Sequence, residues 1–159
     1  MRARTSMLSS NSPPLVRDAR PQDLSALRHL LESAHLDSTD LEESLGKLIV
    51  AEAEGVIAGM IGLEGYGSTG LLRSAAVLSP LRGRGIGRML VEELERRARI
   101  LNLEKIVLLT TDAARYFSRW GYSEIDRSAL RGDIVRSRQF TGACQASATV
   151  MMKHLSPHH

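Results

Sequence analysis

Between Arg82 and Arg88 the chain reads RGRGIGR. Gly83, Gly85 and Gly87 lack Cβ atoms, so backbone N–H groups here can come close to a ligand. An apolar pattern at helical spacing follows directly. A helix N-terminus adds partial positive charge and unpaired amides. Together these features build an anion site, most naturally for phosphate, with Arg82, Arg84 and Arg88 as full charges at its rim. A dinucleotide fingerprint needs Gly-x-Gly-x-x-Gly, and counting from Gly83 the last position is Arg88. A Walker loop needs Gly-Lys-Ser/Thr, which is also absent. What stands is Arg82-x-x-Gly85-x-Gly87 after an apolar run ending at Ala76-Val77. A glycine turn used only for tight packing is the competing reading.

The elements that position this turn follow from periodicity. Leu15–Asp18 reads as a short strand, and Pro21 opens a helix in which Leu24, Leu27, Leu30, Leu31 and Ala34 recur at helical spacing. A second short helix is expected from Thr39 to Leu45. Leu48–Ala53 and Val56–Leu63 read as strands joined by the two-residue hairpin signal Glu54-Gly55. Gly65–Gly70 reads as a flexible turn and Leu71–Leu78 as a buried strand. After the glycine turn, Ile86, Met89, Leu90, Leu94, Ala98 and Leu101 form an apolar stripe that Asn102 terminates. Lys105–Thr111 is a buried strand. Asp112 is expected to cap a short helix through Trp120, which Gly121 breaks. Leu130–Phe140 is expected to be helical, and Gln145–Lys153 reads as a last strand. There is no internal repeat. The order β-α-α-β-β-β-α-β-α-β describes an α/β sandwich with a mixed sheet.

Composition sets the outer bounds. The 159 residues suffice for one domain with a sizeable core. Residues 1–14 are expected to be a disordered arm, residues 15–155 a single domain, and residues 156–159 a flexible tail. The N-terminus has no apolar core of a secretory signal, and no run approaches the ~20 residues of a membrane span. The one cysteine, Cys144, excludes an intramolecular disulfide, so a reducing cytoplasm is the expected compartment. Net charge is +3, but the basic residues are scattered and aromatics are only 4%. A nucleic-acid partner would call for a dense basic stripe with stacking aromatics.

The motif, the strand before it and the "FSRWGY" helix end at Phe117–Tyr122 resemble the GCN5-related N-acetyltransferase (GNAT) superfamily from Leu15 to Leu155. The resemblance implies a mixed, mostly antiparallel central sheet of about six to seven strands with helices on both faces. It implies acetyl-CoA as co-substrate, no metal, a small-molecule amine acceptor and a homodimer as an expectation. The pyrophosphate would lie on Arg82, Gly83, Arg84, Gly85, Ile86, Gly87 and Arg88. The pantetheine arm would pair with the backbone of Ala76, Val77 and Leu78 at a bulge placed at Val77, whose N–H would polarise the thioester carbonyl. Phe117 would contact the cofactor. It stands where many members carry the tyrosine that protonates the thiolate, and Tyr116, one place off, is turned by ~100°. The strand glutamate common in the family is absent too. Glu64, beside Tyr66, is the nearest acid, either a base acting directly or through water, or a solvated loop-end group. A missing acid need not abolish transfer, because a thiol of pKa ~8.5 leaves tolerably as thiolate.

Two stretches narrow the resemblance. "LLTT" (Leu108–Thr111) before "YFSRWGY" is similar to the acetyltransferase domain of N-acetylglutamate synthases. "RSRQFTGACQASATVM" (Arg136–Met151) resembles the arsenic-operon N-acetyltransferases of the ArsN type. Arg136, Phe140, Cys144, Ser147, Ala148 and Met151 fit that pattern, while Gln145 stands where proline is usual. The implied acceptor is a small anionic amino acid or analogue, an organoarsenical included. Arg73 and Arg136 are the forks for its anionic ends. For Arg73 the alternative is an internal salt bridge to Glu64, and for Arg136 a solvated helix position. Thr111, Gln139 and Ser147 are candidate acceptor contacts. Cys144 is either an arsenic or covalent site or, more simply, a buried structural thiol. His35, between the first two helices, reads as a surface residue. Two other functions stay in view: a non-catalytic CoA-binding sensor and a protein or peptide N-acetyltransferase.

Overall fold

The structure, a computed structural model, describes residues 13–78, 81, 83–141 and 147–156. All five residues between Thr141 and Ser147, Cys144 among them, and Arg82 in the glycine turn fall with the termini outside that set. The strands are β1 (Leu15–Asp18), β2 (Leu48–Ala53), β3 (Val56–Tyr66), β4 (Thr69–Val77), β5 (Lys105–Thr110), β6 (Ser123–Ile125) and β7 (Thr149–His154). The helices are α1 (Leu24–Ser33), α2 (Leu41–Ser44), α3 (Ile86–Ile100), α4 (Ala114–Ser118) and α5 (Arg138–Thr141). The seven strands form one sheet in the order β1-β2-β3-β4-β5-β7-β6. Pairings of β1 with β2, β2 with β3, β5 with β7 and β6 with β7 are antiparallel, whereas β4 runs parallel to β5. This is the mixed, mostly antiparallel sheet expected from the sequence.

Two compact units share the chain: Met1–Gly62 with Ser74–Glu93, and Leu63–Arg73 with Leu94–His159. In the first, Leu27, Leu30 and Leu31 of α1 pack on Leu48, Val50, Met60 and Ala76. The opposite face of β3 receives α3. A Cβ on Gly59 would stand 3.0 Å from Ile86 Cγ2, 3.0 Å from Leu90 Cδ1 and 3.2 Å from the Ala76 carbonyl. Side chains alternate along a strand, so Gly59 and Met60 place a helix on each face. The hairpin signal is realised: Glu54 (φ 54°) and Gly55 (φ 82°) are both left-handed, and Ala53 pairs with Val56. Two positive φ values match the twist of the flanking strands.

In the second unit Leu71, Val107 and Val150 form an apolar sheet face covered by Leu130, Ile134 and Phe140. The cover differs from the single helix expected over Leu130–Phe140. It consists of 3₁₀ turns at Arg127–Ala129 and Asp133–Arg136, then α5. Gly132 sits at φ 86°, a conformation that interrupts a right-handed helix, and the three apolar side chains are spent on the sheet. The short strand β6 also escapes the sequence pattern, since three residues carry no periodicity. Asn102 ends α3 in a left-handed conformation (φ 62°) as expected. Asp112 does not cap α4. Thr110 Oγ1 accepts from the Asp112 and Ala113 amides at 3.3 and 2.9 Å instead, and Ala113 occupies the cap position. Strands β3 and β4 extend into the expected Gly65–Gly70 turn, leaving Gly67-Ser68 between them.

Candidate active site

In the first unit the segment from β4 to α3 carries the anion-binding elements. Gly83 (φ 85°) and Gly85 (φ 84°) are left-handed, and a Cβ on either would meet nothing within 4 Å. The glycines are therefore needed for backbone conformation rather than for tight packing. That disfavours the packing explanation of the motif. Gly83, Arg84 and Gly85 are exposed, while Ile86 is buried against the Gly59 position. Ile86 thus anchors the helix start through its side chain and offers only its backbone to a ligand. The Met89 amide returns to the Gly85 carbonyl at 3.0 Å, which makes Gly85 the entry to α3. Arg88 is exposed and pairs with Glu92 one turn on, at 3.1 Å. Arg82 lies outside the described residues.

On β4, Ala76 is buried. The Leu78 amide donates to the Ala58 carbonyl at 2.8 Å, and its carbonyl accepts from Leu81 at 2.8 Å. The Leu78 amide is thus committed to β3, and strand alternation turns the Val77 amide to the other edge. The left-handed residue of β4 is Ser74 (φ 57°), not Val77. A non-glycine residue held there stores backbone strain, and it lies directly after Arg73.

The second unit holds a polar cluster on an otherwise apolar face. Arg73 Nη1 donates to Glu64 Oε2 at 2.8 Å, with side chains 3% and 11% exposed. Tyr66 donates its hydroxyl to Glu64 Oε1 at 2.8 Å. Burial first, then the hydrogen bond and charge of Glu64, push the Tyr66 phenol up to about 12. Tyr66 itself packs against the cluster of Leu71, Ile134 and Phe140. Glu64 is therefore not a solvated loop-end group, and Arg73 has the internal partner that a buried cation requires.

The remaining sequence candidates separate clearly. Phe117 is 6% exposed and edge-on to Tyr122, ring centroids 5.7 Å apart. Tyr116 turns toward Trp120, centroids 6.0 Å apart, as a one-residue helical offset requires. Arg136 is 75% exposed and pairs with Asp133. Thr111 and Ser147 are exposed and Gln139 is half-buried. Cys144 is outside the described residues. Among the described residues no group of three or more His, Cys, Asp or Glu could hold a metal ion, and no helix is long and apolar enough to cross a membrane. Sequence reasoning assigned no role to Tyr66, Ser137 or Gly59. Tyr66 was findable, because it falls two residues after Glu64 and so shares its strand face. Ser137 and Gly59 carry no local signal.

A second network supports this unit from behind. Glu95 of α3 is buried, accepting from Tyr122 Oη at 2.8 Å and from Lys153 Nζ at 2.9 Å. It fixes the helix to the turn after α4 and to β7.

Comparison with known proteins identifies the frame. The family described as Acetyltransferase (GNAT) matches residues 13–122. An uncharacterized N-acetyltransferase of Chlorobaculum tepidum is 32% identical over 120 residues, covering 70% of this chain and 77% of that protein. An amino-acid acetyltransferase of Mycobacterium tuberculosis is 27% identical over 131 residues, covering 76% and 75%. Among solved structures, Rv2747 of Mycobacterium tuberculosis in complex with CoA superposes with a TM-score of 0.77 at 26% identity, over 90% of this chain and all of that one. An N-acetylglutamate synthase of Neisseria gonorrhoeae shares the fold, with a TM-score of 0.78 at 17% identity over 91% of this chain and 34% of that one. The glycine turn at the start of α3, the sheet order and these matches agree: the chain belongs to the GNAT acetyltransferase family, and is an acetyl-CoA-dependent N-acetyltransferase.

Proposed function

We propose that the amine acceptor is a small anionic amino acid or amino-acid analogue, bound at the Glu64–Arg73 pair. The observation that carries this reading is a buried guanidinium and carboxylate 2.8 Å apart on an apolar face, a charge pattern that complements an ammonium and a carboxylate on one small molecule. A guanidinium has five N–H donors in a fixed fork, so Arg73 serves a substrate carboxylate beside Glu64. Relatives named as amino-acid acetyltransferases support the same class. Arg136, Gln139, Thr111 and Ser147 are second-rank acceptor contacts at the rim. The ArsN-like pattern at Arg136–Met151, with Cys144 inside it, extends the proposed class to organoarsenical amino acids.

Acetyl-CoA lies along β4 from Ala76 to Leu78, its pyrophosphate on the glycine turn that leads into α3. The α3 dipole and the turn amides hold the anion. The Val77 backbone faces the thioester carbonyl and polarises it. Glu64 takes the proton of the attacking amine, directly or through water. Phe117 carries no proton, so the CoA thiolate leaves unprotonated, which a thiol of pKa ~8.5 tolerates.

The test is release of free thiol from acetyl-CoA with glutamate, aspartate, phosphinic and arsinic glutamate mimics, and short peptides. Turnover is expected on the anionic amino acids, faster than on peptides. Arg73→Lys keeps a cation for Glu64 but loses the fork, so the acceptor KM rises while that for acetyl-CoA holds. Faster turnover of peptides than of any free amino acid overturns this reading.

A further inference from the structure

Glu64 takes a donor on each carboxylate oxygen. Arg73 Nη1 donates to Oε2 at 2.8 Å from β4, and the Tyr66 hydroxyl donates to Oε1 at 2.8 Å from β3. Glu64 and Arg73 each have further interactions as well. The terminal torsion of a glutamate is broad and roughly two-fold, so one hydrogen bond alone does not fix the plane of its carboxylate. A donor on the second oxygen does. Tyr66 is placed for that task. It follows Glu64 by two residues and shares its strand face, and it packs against the cluster of Leu71, Ile134 and Phe140. A phenylalanine would fill that apolar space equally well. The hydroxyl is the part of the side chain that packing does not explain.

That hydroxyl is held in turn. The Ser137 side chain hydrogen-bonds to the Tyr66 oxygen. Ser137 is 6% exposed, at the joint between the turn Asp133–Arg136 and α5. Its amide donates to the Ile134 carbonyl at 3.1 Å, and its carbonyl accepts from the Phe140 and Thr141 amides at 3.0 and 3.1 Å, so its backbone is fixed. The donors run one way, from Ser137 to Tyr66 to Glu64, and a hydroxyl that accepts one hydrogen bond donates a stronger one. Of the charged and titratable groups, Tyr66 faces Glu64 from β3 and Arg73 from β4. The cover segment brings Arg127, 5.4 Å from the Phe140 ring centroid. From β5 and β7 this face receives the apolar Leu109 and Met152.

We propose that Tyr66 is a positioning residue for acetyl transfer: its hydroxyl, steadied by Ser137, fixes the Glu64 carboxylate and keeps it ionised to take the proton of the attacking amine. This inference rests on the acceptor site proposed above, with Glu64 as its base. Tyr66 acts through Glu64 and does not itself touch the substrate. The sign follows from the hydrogen bond. A donor to a carboxylate favours the charged form, so removing the Tyr66 hydroxyl makes Glu64 easier to protonate, and the base is lost at a higher pH.

The experiment compares the full chain with Tyr66→Phe and Ser137→Ala. It records kcat against pH with both substrates saturating, since that profile reports the groups of the bound complex. The acceptor is the best of the amino-acid panel, L-glutamate being the first probe, and Tm is measured without ligand. Tyr66→Phe is expected to move the acid limb of kcat up by about one pH unit, the worth of a hydrogen bond to a charged group. On that limb kcat falls about tenfold, and it recovers toward the parent as pH rises. The acetyl-CoA KM should stay within about twofold. Ser137→Ala acts one hydrogen bond further away and shifts the limb the same way by less. A Tyr66→Phe limb that coincides with the parent's overturns the proposal and makes the hydroxyl structural, whatever happens to Tm. Should Tyr66→Phe fail to fold, Ser137→Ala decides: a smaller upward shift supports the proposal, and no shift overturns it. If the unaltered chain acetylates no amino acid of the panel, or its kcat has no acid limb, the reading of Glu64 as the base fails and takes this inference with it. That outcome is distinct from a parent with an acid limb that Tyr66→Phe leaves in place.

Discussion

At the scale of single residues, the Glu64–Arg73 pair dominates the second unit. A buried ion pair contributes little against an apolar substitute, but removing one member strands the other charge at about 3–5 kcal/mol. Arg73→Met and Glu64→Gln are each expected to lose about that much in urea unfolding, and the double variant less than the sum. Additive losses would show that the two groups do not depend on each other. Tyr66 follows from the same cluster. Its place two residues after Glu64 could be read from strand alternation, but its hydrogen bond to Glu64 depends on the fold.

At the scale of elements, α3 and its entry turn rest on two glycines with different physics. Gly85 is left-handed at φ 84° with open space around it, so Gly85→Ala meets only conformational strain of about 1–2 kcal/mol, which a loop relieves by shifting its amides. The expected result is an acetyl-CoA KM raised about tenfold with little change in unfolding. Gly59→Ala instead drives a methyl group into Ile86, Leu90 and the Ala76 carbonyl. Overpacking of this kind costs about 1–3 kcal/mol, so stability falls first and cofactor affinity second. Indistinguishable behaviour of the two variants in unfolding and in KM would refute the division. Local sequence announced Gly85 because it sits in a motif. Gly59 looks like any strand glycine until a helix is packed on it.

At the scale of the molecule, all three tyrosines are held in the protonated form. Burial is the first cause for Tyr66, Tyr116 and Tyr122 alike, with Glu64 and Glu95 adding negative charge beside the first and last. The folded pKa lies above the ordinary 10.0, to about 12 for Tyr66, so the unfolded chain releases these protons first. The Tyr66 contribution to stability is therefore fully present below pH 10 and is lost as pH rises through about 12. Tyrosinate absorbance should lag an unfolded control between those limits and rise together with loss of circular dichroism. Full phenolate signal near pH 10 in a folded chain would contradict this. The opposite limb belongs to Asp23, which Arg17 holds below the ordinary carboxylate range, so its contribution is lost as pH falls below about 4. What the sequence determined by itself was local: the glycine turn, the amphipathic α3 with its Asn102 stop, the Glu54-Gly55 hairpin and the family these imply. Each depends on neighbours within a few residues, where periodicity and backbone sterics act. What only the tertiary structure decided was which distant groups meet. Arg73 found Glu64, Arg136 was left in solvent, and Leu130–Phe140 broke into turns around Gly132. Those outcomes depend on burial against a sheet assembled from remote segments, where the cost of an unpaired charge or a lost apolar contact overrides local preference.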